Sequence, residues 1–132
     1  MTNPRLIIIT GAPCTGKTQL GKWFAQEFSL PYVSKDGIKE LLYDRLGWKD
    51  REWSKTLSLA SYDLLYYFAE AQLAAKQQII MEANFRTGID SPKMMRLVAK
   101  YQYHPIQFHC YADERVLVER FKNRATSPDR HP

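Results

Sequence analysis

The chain holds no apolar run near the roughly 18 residues that a membrane helix needs. Its N-terminus shows no signal-peptide pattern. The early apolar run, Leu6-Ile7-Ile8-Ile9, is short and passes straight into a loop. No membrane partner is therefore expected. There are only 2 cysteines, Cys14 and Cys110, and no C-x-x-C pair. That excludes a disulfide framework and fits a reducing, cytoplasmic compartment. The 3 histidines, His104, His109 and His131, show no metal-ligand spacing. No block of five or more like charges occurs. The net charge of +5, from 19 Lys/Arg against 14 Asp/Glu, suits an anionic ligand better than a dedicated nucleic-acid surface. Repeats, low-complexity tracts and internal linkers are missing too. What remains is 132 residues, 45% of them hydrophobic, which is ordinary for one globular domain with a real core.

Against this plain background one stretch stands out. The apolar run Leu6 to Ile9 leads into Gly11-Ala12-Pro13-Cys14-Thr15-Gly16-Lys17-Thr18, and a helical pattern follows. This is G-x-x-x-x-G-K-[ST] in a strand, loop, helix context. Two fixed glycines, a lysine and a Ser/Thr match by chance at roughly one position in several thousand. The glycines permit conformations and close approaches that a Cβ blocks. Successive N–H groups at the helix start form a nest for phosphate oxygens. Lys17 can reach the β- and γ-phosphates, and the Thr18 hydroxyl can ligate Mg²⁺. The stretch Gly11 to Thr18 thus predicts nucleoside triphosphate binding.

The rest of the chain alternates strand and helix patterns. Strands are expected at Leu6 to Thr10, Pro31 to Ser34, Gln78 to Ala83 and Pro105 to Tyr111. Helices are expected at Lys17 to Phe28, with Leu20, Phe24 and Phe28 on one face, and at Gly37 to Arg45, capped by Asp36. A long helix spans Ser54 to Lys76, with Leu57, Ser61, Leu64, Phe68, Ala71 and Ala75 at helical spacing. Another begins at Ser91-Pro92, capped by Asp90 or Ser91, and runs to Tyr101. The last covers Asp113 to Arg124, before a polar tail from Ala125 to Pro132. Alternation of this kind predicts an α/β fold on a central parallel sheet.

Ligands of such sheets sit at the carboxyl ends of the strands. The phosphate loop follows the first strand and Asp36 the second; Glu82, Asn84 and Arg86 close the third. Asp36 suits a base that accepts the proton of an attacking hydroxyl, or it simply caps its helix. Lys39, one turn later, can position an acceptor or be plain surface. Glu82 ends an hhhE strand, where an acid commonly meets Mg²⁺ or its water shell. Arg86 can grip an anionic group of the substrate. Arg120 and Arg124 share a helix face, and Arg130 follows in the tail. Arginines brought in by a closing segment stabilise charge on a transferring phosphoryl group.

The combination resembles small P-loop kinases of the zeta-toxin, chloramphenicol phosphotransferase and polynucleotide kinase type, grouped with AAA family ATPases. The matching pieces are Gly11 to Thr18, Ser34-Lys-Asp-Gly-Ile-Lys-Glu40, Ile79-Ile-Met-Glu-Ala-Asn-Phe85, His109-Cys-Tyr-Ala-Asp113 and Glu119-Arg-Phe-Lys-Asn-Arg124, followed by Arg130-His-Pro132. The resemblance implies a three-layer, nucleoside-monophosphate-kinase-like P-loop fold. It also implies ATP and Mg²⁺, a hydroxyl acceptor, Asp36 as base, and a lid containing Arg120, Arg124 and Arg130. No marked sensor or arginine-finger arrangement points to a ring-forming mechanical ATPase. Kinases of this type continue beyond Arg-His-Pro with more lid and a fifth strand. The expectation is a single domain, 1–132, C-terminally truncated and lacking that last strand.

The functional expectation is an ATP-dependent phosphotransferase that moves the γ-phosphate to a hydroxyl of a small molecule, or less readily of a nucleic-acid 5′ end. The alternatives are a nucleotide-binding module without catalysis and an NTP hydrolase. The Trp- and Tyr-rich region from Lys39 to Lys76 is compatible with a sugar, a nucleoside or an aromatic acceptor.

Overall fold

The computed structural model describes residues 4–12 and 15–111. In chain order these form β1 (Arg5–Gly11), α1 (Lys17–Phe28), β2 (Tyr32–Ser34), α2 (Lys35–Leu46), α3 (Arg51–Ala74), β3 (Ile79–Ala83), α4 (Thr87–Tyr101) and β4 (His104–Cys110). The strands make one sheet in the order β2-β3-β1-β4, and every pairing is parallel. Register pairs Ile9 with Glu82 and Ser34 with Glu82, so the loop after β1 and the starts of the segments after β2 and β3 share one end of the sheet.

Branched apolar residues fill β1 and β3 because both strands are covered on both faces. Side chains alternate between two layers. Ile7, Ile9 and Ile80 face α1, where Leu20, Phe24 and Ala25 meet them. Leu6, Ile8, Ile79 and Met81 face the other way, onto Tyr62, Leu65, Ala69 and Leu73 of α3 and Met94 and Leu97 of α4. The result is a three-layer α/β fold with four strands among the described residues.

Several boundaries differ from the sequence expectation. Ser34, not Asp36, caps α2. Its backbone is extended and its hydroxyl accepts the Gly37 N–H at 2.9 Å, which moves Asp36 into the first turn. The α3 helix starts at Arg51, three residues early, because the Asp50 carboxylate accepts the Trp53 N–H at 2.7 Å. Its buried stripe runs Leu57, Ser61, Leu65, Ala69, Leu73, a strict row of fours, so Leu64 is left exposed. The α4 helix starts at Thr87 with Pro92 inside it, and neither Asp90 nor Ser91 is its cap. In α1 the bounds match, but Phe28 lies mostly in solvent, stacked on Phe24. The helix expected over 113–124 and the tail lie outside the described residues. No helix of the described residues is long and apolar enough to cross a membrane.

Candidate active site

Two glycines set the backbone at the ends of the phosphate loop. Gly11 has φ +148°, and a Cβ there would lie 2.2 Å from the Cys110 carbonyl oxygen. Gly16 has φ +90° and turns the chain directly into α1. Lys17 is buried although it is charged, and its Nζ donates to the Gly11 carbonyl at 2.6 Å. A lysine ammonium in that position costs desolvation unless strong acceptors meet it. The loop therefore keeps a cation folded against its own backbone, at the mouth of a helix N-terminus. Both features favour phosphate oxygens.

Beside it, Glu82 is almost fully buried at the end of β3. Its Oε1 accepts two hydrogen bonds, from the Thr18 hydroxyl at 3.1 Å and from the Tyr32 hydroxyl at 2.6 Å. Burial first, then the hydrogen bond and charge of Glu82, hold the Tyr32 phenol well above its ordinary pKa, so it stays a donor. The Tyr32 ring packs against Gly21, where a Cβ would approach within 2.1 Å of a ring atom. A hydroxyl and a carboxylate in contact beside a phosphate loop fit Mg²⁺, which takes one or two protein oxygens and completes its shell with phosphate and water. Among the described residues no group of three or more His, Cys, Asp or Glu could hold a metal.

A second cluster stands across the strand ends. Asp36 is half-exposed, with Lys35 Nζ 3.5 Å from its Oδ1. Lys35 itself is largely buried, and its Nζ sits 5.2 Å from the centre of the Tyr62 ring. Burial pulls the Lys35 ammonium below the ordinary lysine value, and Asp36 opposes that shift. The Arg86 guanidinium lies 4.0 Å from the same ring. It is locked there by Asp90, through Nε to Oδ2 at 3.1 Å and Nη2 to Oδ1 at 3.3 Å. Asp90 also accepts the Arg86 N–H at 2.6 Å and the Tyr66 hydroxyl at 2.7 Å. Burial would raise its pKa, but these bonds outweigh that and hold it below the usual carboxylate value. The Tyr62 hydroxyl donates to the Asn84 carbonyl at 2.7 Å, fixing the ring to the end of β3.

Of the residues expected from sequence, Gly11, Gly16, Lys17, Thr18 and Glu82 form one cluster. Asp36 and Arg86 belong to the second. Ala12 accepts the Thr15 hydroxyl within the loop at 2.8 Å. Lys39 lies over the Tyr43 ring, and Asn84 contributes its backbone carbonyl to Tyr62. Pro13, Cys14, Arg120, Arg124 and Arg130 lie outside the described residues. Sequence reasoning missed Tyr32, Lys35, Tyr62 and Asp90. Two had a local signal, Lys35 beside Asp36 and Asp90 four residues after Arg86; Tyr32 and Tyr62 act through contacts distant in sequence.

The AAA domain family AAA_33 matches residues 6–132. The chain belongs to that family. A solved structure of a candidate kinase from Chloroflexus aurantiacus J-10-fl is 44% identical, with a TM-score of 0.90, and the match covers 97% of this chain and 72% of that one. A gluconokinase from Sinorhizobium meliloti 1021 matches at 15% identity and a TM-score of 0.56, over 98% of this chain and 71% of that one. A chain of the Pnkp1/Rnl/Hen1 RNA repair complex matches at 18% and 0.72, over 98% of this chain but 42% of its own length. At those identities the last two speak for the fold alone. No curated protein matches the chain. The family and its relatives make this a small P-loop kinase-type, nucleotide-binding protein.

Proposed function

We propose that the chain is an ATP-dependent phosphotransferase, a single kinase-like unit over 1–132, that moves the γ-phosphate to a hydroxyl of a small molecule. The observation that carries this is the pairing of two clusters at one end of the sheet. One, Lys17 with Thr18 and Glu82, is built for a metal-bound phosphate. The other places the half-exposed Asp36 carboxylate among cations. A hydrolase would need the first cluster and not the second.

In this reading Lys17 and the loop N–H groups hold the β- and γ-phosphates; Thr18 and Glu82 would hold Mg²⁺, which would supply neutralising charge there. Asp36 orients the acceptor hydroxyl and takes its proton, which passes on to solvent. The acceptor oxygen forms the new bond to the γ-phosphorus. The bond from that phosphorus to the β–γ bridging oxygen breaks, and its electron pair leaves on ADP. Arg120 and Arg124 balance charge in the transition state, with Lys39, Asn84, Arg86 and Arg130 toward the acceptor. The same reading places the protein in the cytoplasm.

The test is a panel of hydroxyl acceptors with γ-labelled ATP and Mg²⁺. Label transfer to an acceptor supports the reading. Rapid phosphate release that no acceptor changes would favour the hydrolase, and ATP binding without either product a binding module.

A further inference from the structure

Tyr62 carries two cations on one ring. Lys35 Nζ is 5.2 Å and Arg86 Cζ 4.0 Å from its centroid, so the charges lie at most about 9 Å apart. Arg86 acts against the charged form of Lys35, and an anion shared between the two cations relieves that repulsion. Within the chain the compensation is incomplete. Asp90 is spent on Arg86, where it takes Nε–H and one Nη2–H and leaves further guanidinium donors for another acceptor. Asp36 is 3.5 Å from Lys35, a long ion pair, and is half open to solvent. Lys39 adds a third positive charge one turn along α2. The cluster is rigid: Tyr62 is tied to Asn84, and Arg86 to Asp90 and thence to Tyr66. Pre-set cations of this kind bind a carboxylate or phosphate at little ordering cost.

We propose that Lys35 and Arg86, seated on Tyr62, form an anion site that selects acceptors bearing a carboxylate or phosphate near the hydroxyl to be phosphorylated. This rests on the kinase reading and narrows its substrate to small anionic hydroxy compounds. Asp36, beside Lys35, then faces the hydroxyl while the cations hold the charged end. A neutral polyol of the same length lacks that second anchor.

The test saturates the phosphate loop with a non-hydrolysable ATP analogue and Mg²⁺, then titrates D-gluconate, glucose 6-phosphate and sorbitol while the Arg86 Nε–H signal is followed by NMR. Gluconate or glucose 6-phosphate should shift that signal with a millimolar Kd, and sorbitol should not, up to about 50 mM. Which anion binds more tightly separates the carboxylate from the phosphate form. Lys35→Gln should weaken the anion at least about tenfold, and Lys35→Arg should restore most of it. Because Lys35→Arg keeps charge and bulk, it distinguishes lost recognition from lost folding. No anion response with the analogue bound, or equal response to sorbitol, overturns the anion site alone. Failure of the analogue to bind sinks the kinase reading and this site with it. Preferred phosphorylation of a 5′-hydroxyl oligonucleotide, unaffected by Lys35→Gln, would also overturn it.

Discussion

The hydrogen bond from Tyr32 to Glu82 offers a clean perturbation. Tyr32→Phe removes one oxygen and leaves the ring on Gly21, so packing against α1 is kept. The bond lost is short, 2.6 Å, and its acceptor is a carboxylate buried at the end of β3. Hydrogen bonds to charged groups contribute about 1.5–3 kcal/mol, and among the described residues Glu82 would keep the 3.1 Å bond from Thr18. We expect Tyr32→Phe to lower stability by about 2 kcal/mol, read from urea denaturation at neutral pH. The same change should raise the Mg²⁺ concentration needed for ATP binding, because the Glu82 carboxylate loses the donor that holds it against Thr18. A double-mutant cycle isolates the pair. In a Glu82→Gln background, Tyr32→Phe should cost under about half as much, since the acceptor is no longer charged. A stability change under about 0.5 kcal/mol for Tyr32→Phe, or an equal loss in both backgrounds, would refute the reasoning.

Three further outcomes follow from the same geometry. Lys17→Ala should weaken ATP binding strongly, and calorimetry showing unchanged affinity would remove the phosphate-loop assignment. Gly21→Ala drives a Cβ to within 2.1 Å of the Tyr32 ring, and overpacking of this sort costs about 1–3 kcal/mol, measurable as a lower urea midpoint. Asp90 has a depressed pKa in the folded protein, so its contribution is present above the ordinary carboxylate value of 3.8 and is lost as pH falls through the lower folded value. Wild type should therefore lose more stability than Asp90→Asn between about pH 5 and pH 2, and parallel acid profiles would contradict the Arg86–Asp90 lock.

The parts of the fold legible in the sequence were those written locally. Lys17–Phe28 matched residue for residue because the phosphate loop fixes where α1 starts and Ser29, at φ +53°, closes it. The meeting of Thr18 and Glu82, 64 residues apart, was also foreseeable, since a parallel sheet brings strand ends together. Caps were harder. Ser34 and Asp36 are both good N-cap types, and only the extended backbone at Ser34 decides between them. Pro92 suggested a helix start, yet α4 begins five residues before it. The Asp90 carboxylate reaches back to the Arg86 N–H and stabilises the earlier turn, so the helix tolerates the bond that Pro92 cannot make. Tyr62 is buried in the core. Its second role, holding Lys35 and Arg86, depends on α2 and the end of β3 meeting α3, which no local pattern encodes.

The central claim is that the γ-phosphate passes to a hydroxyl oriented by Asp36. The direct measurement is transfer of labelled phosphate to the best acceptor by wild type and Asp36→Asn, alongside ATP affinity for each. ATP affinity should be the same within about twofold, and transfer should fall by about 10²–10⁴ in the variant. Transfer at the wild-type rate by Asp36→Asn would contradict the account.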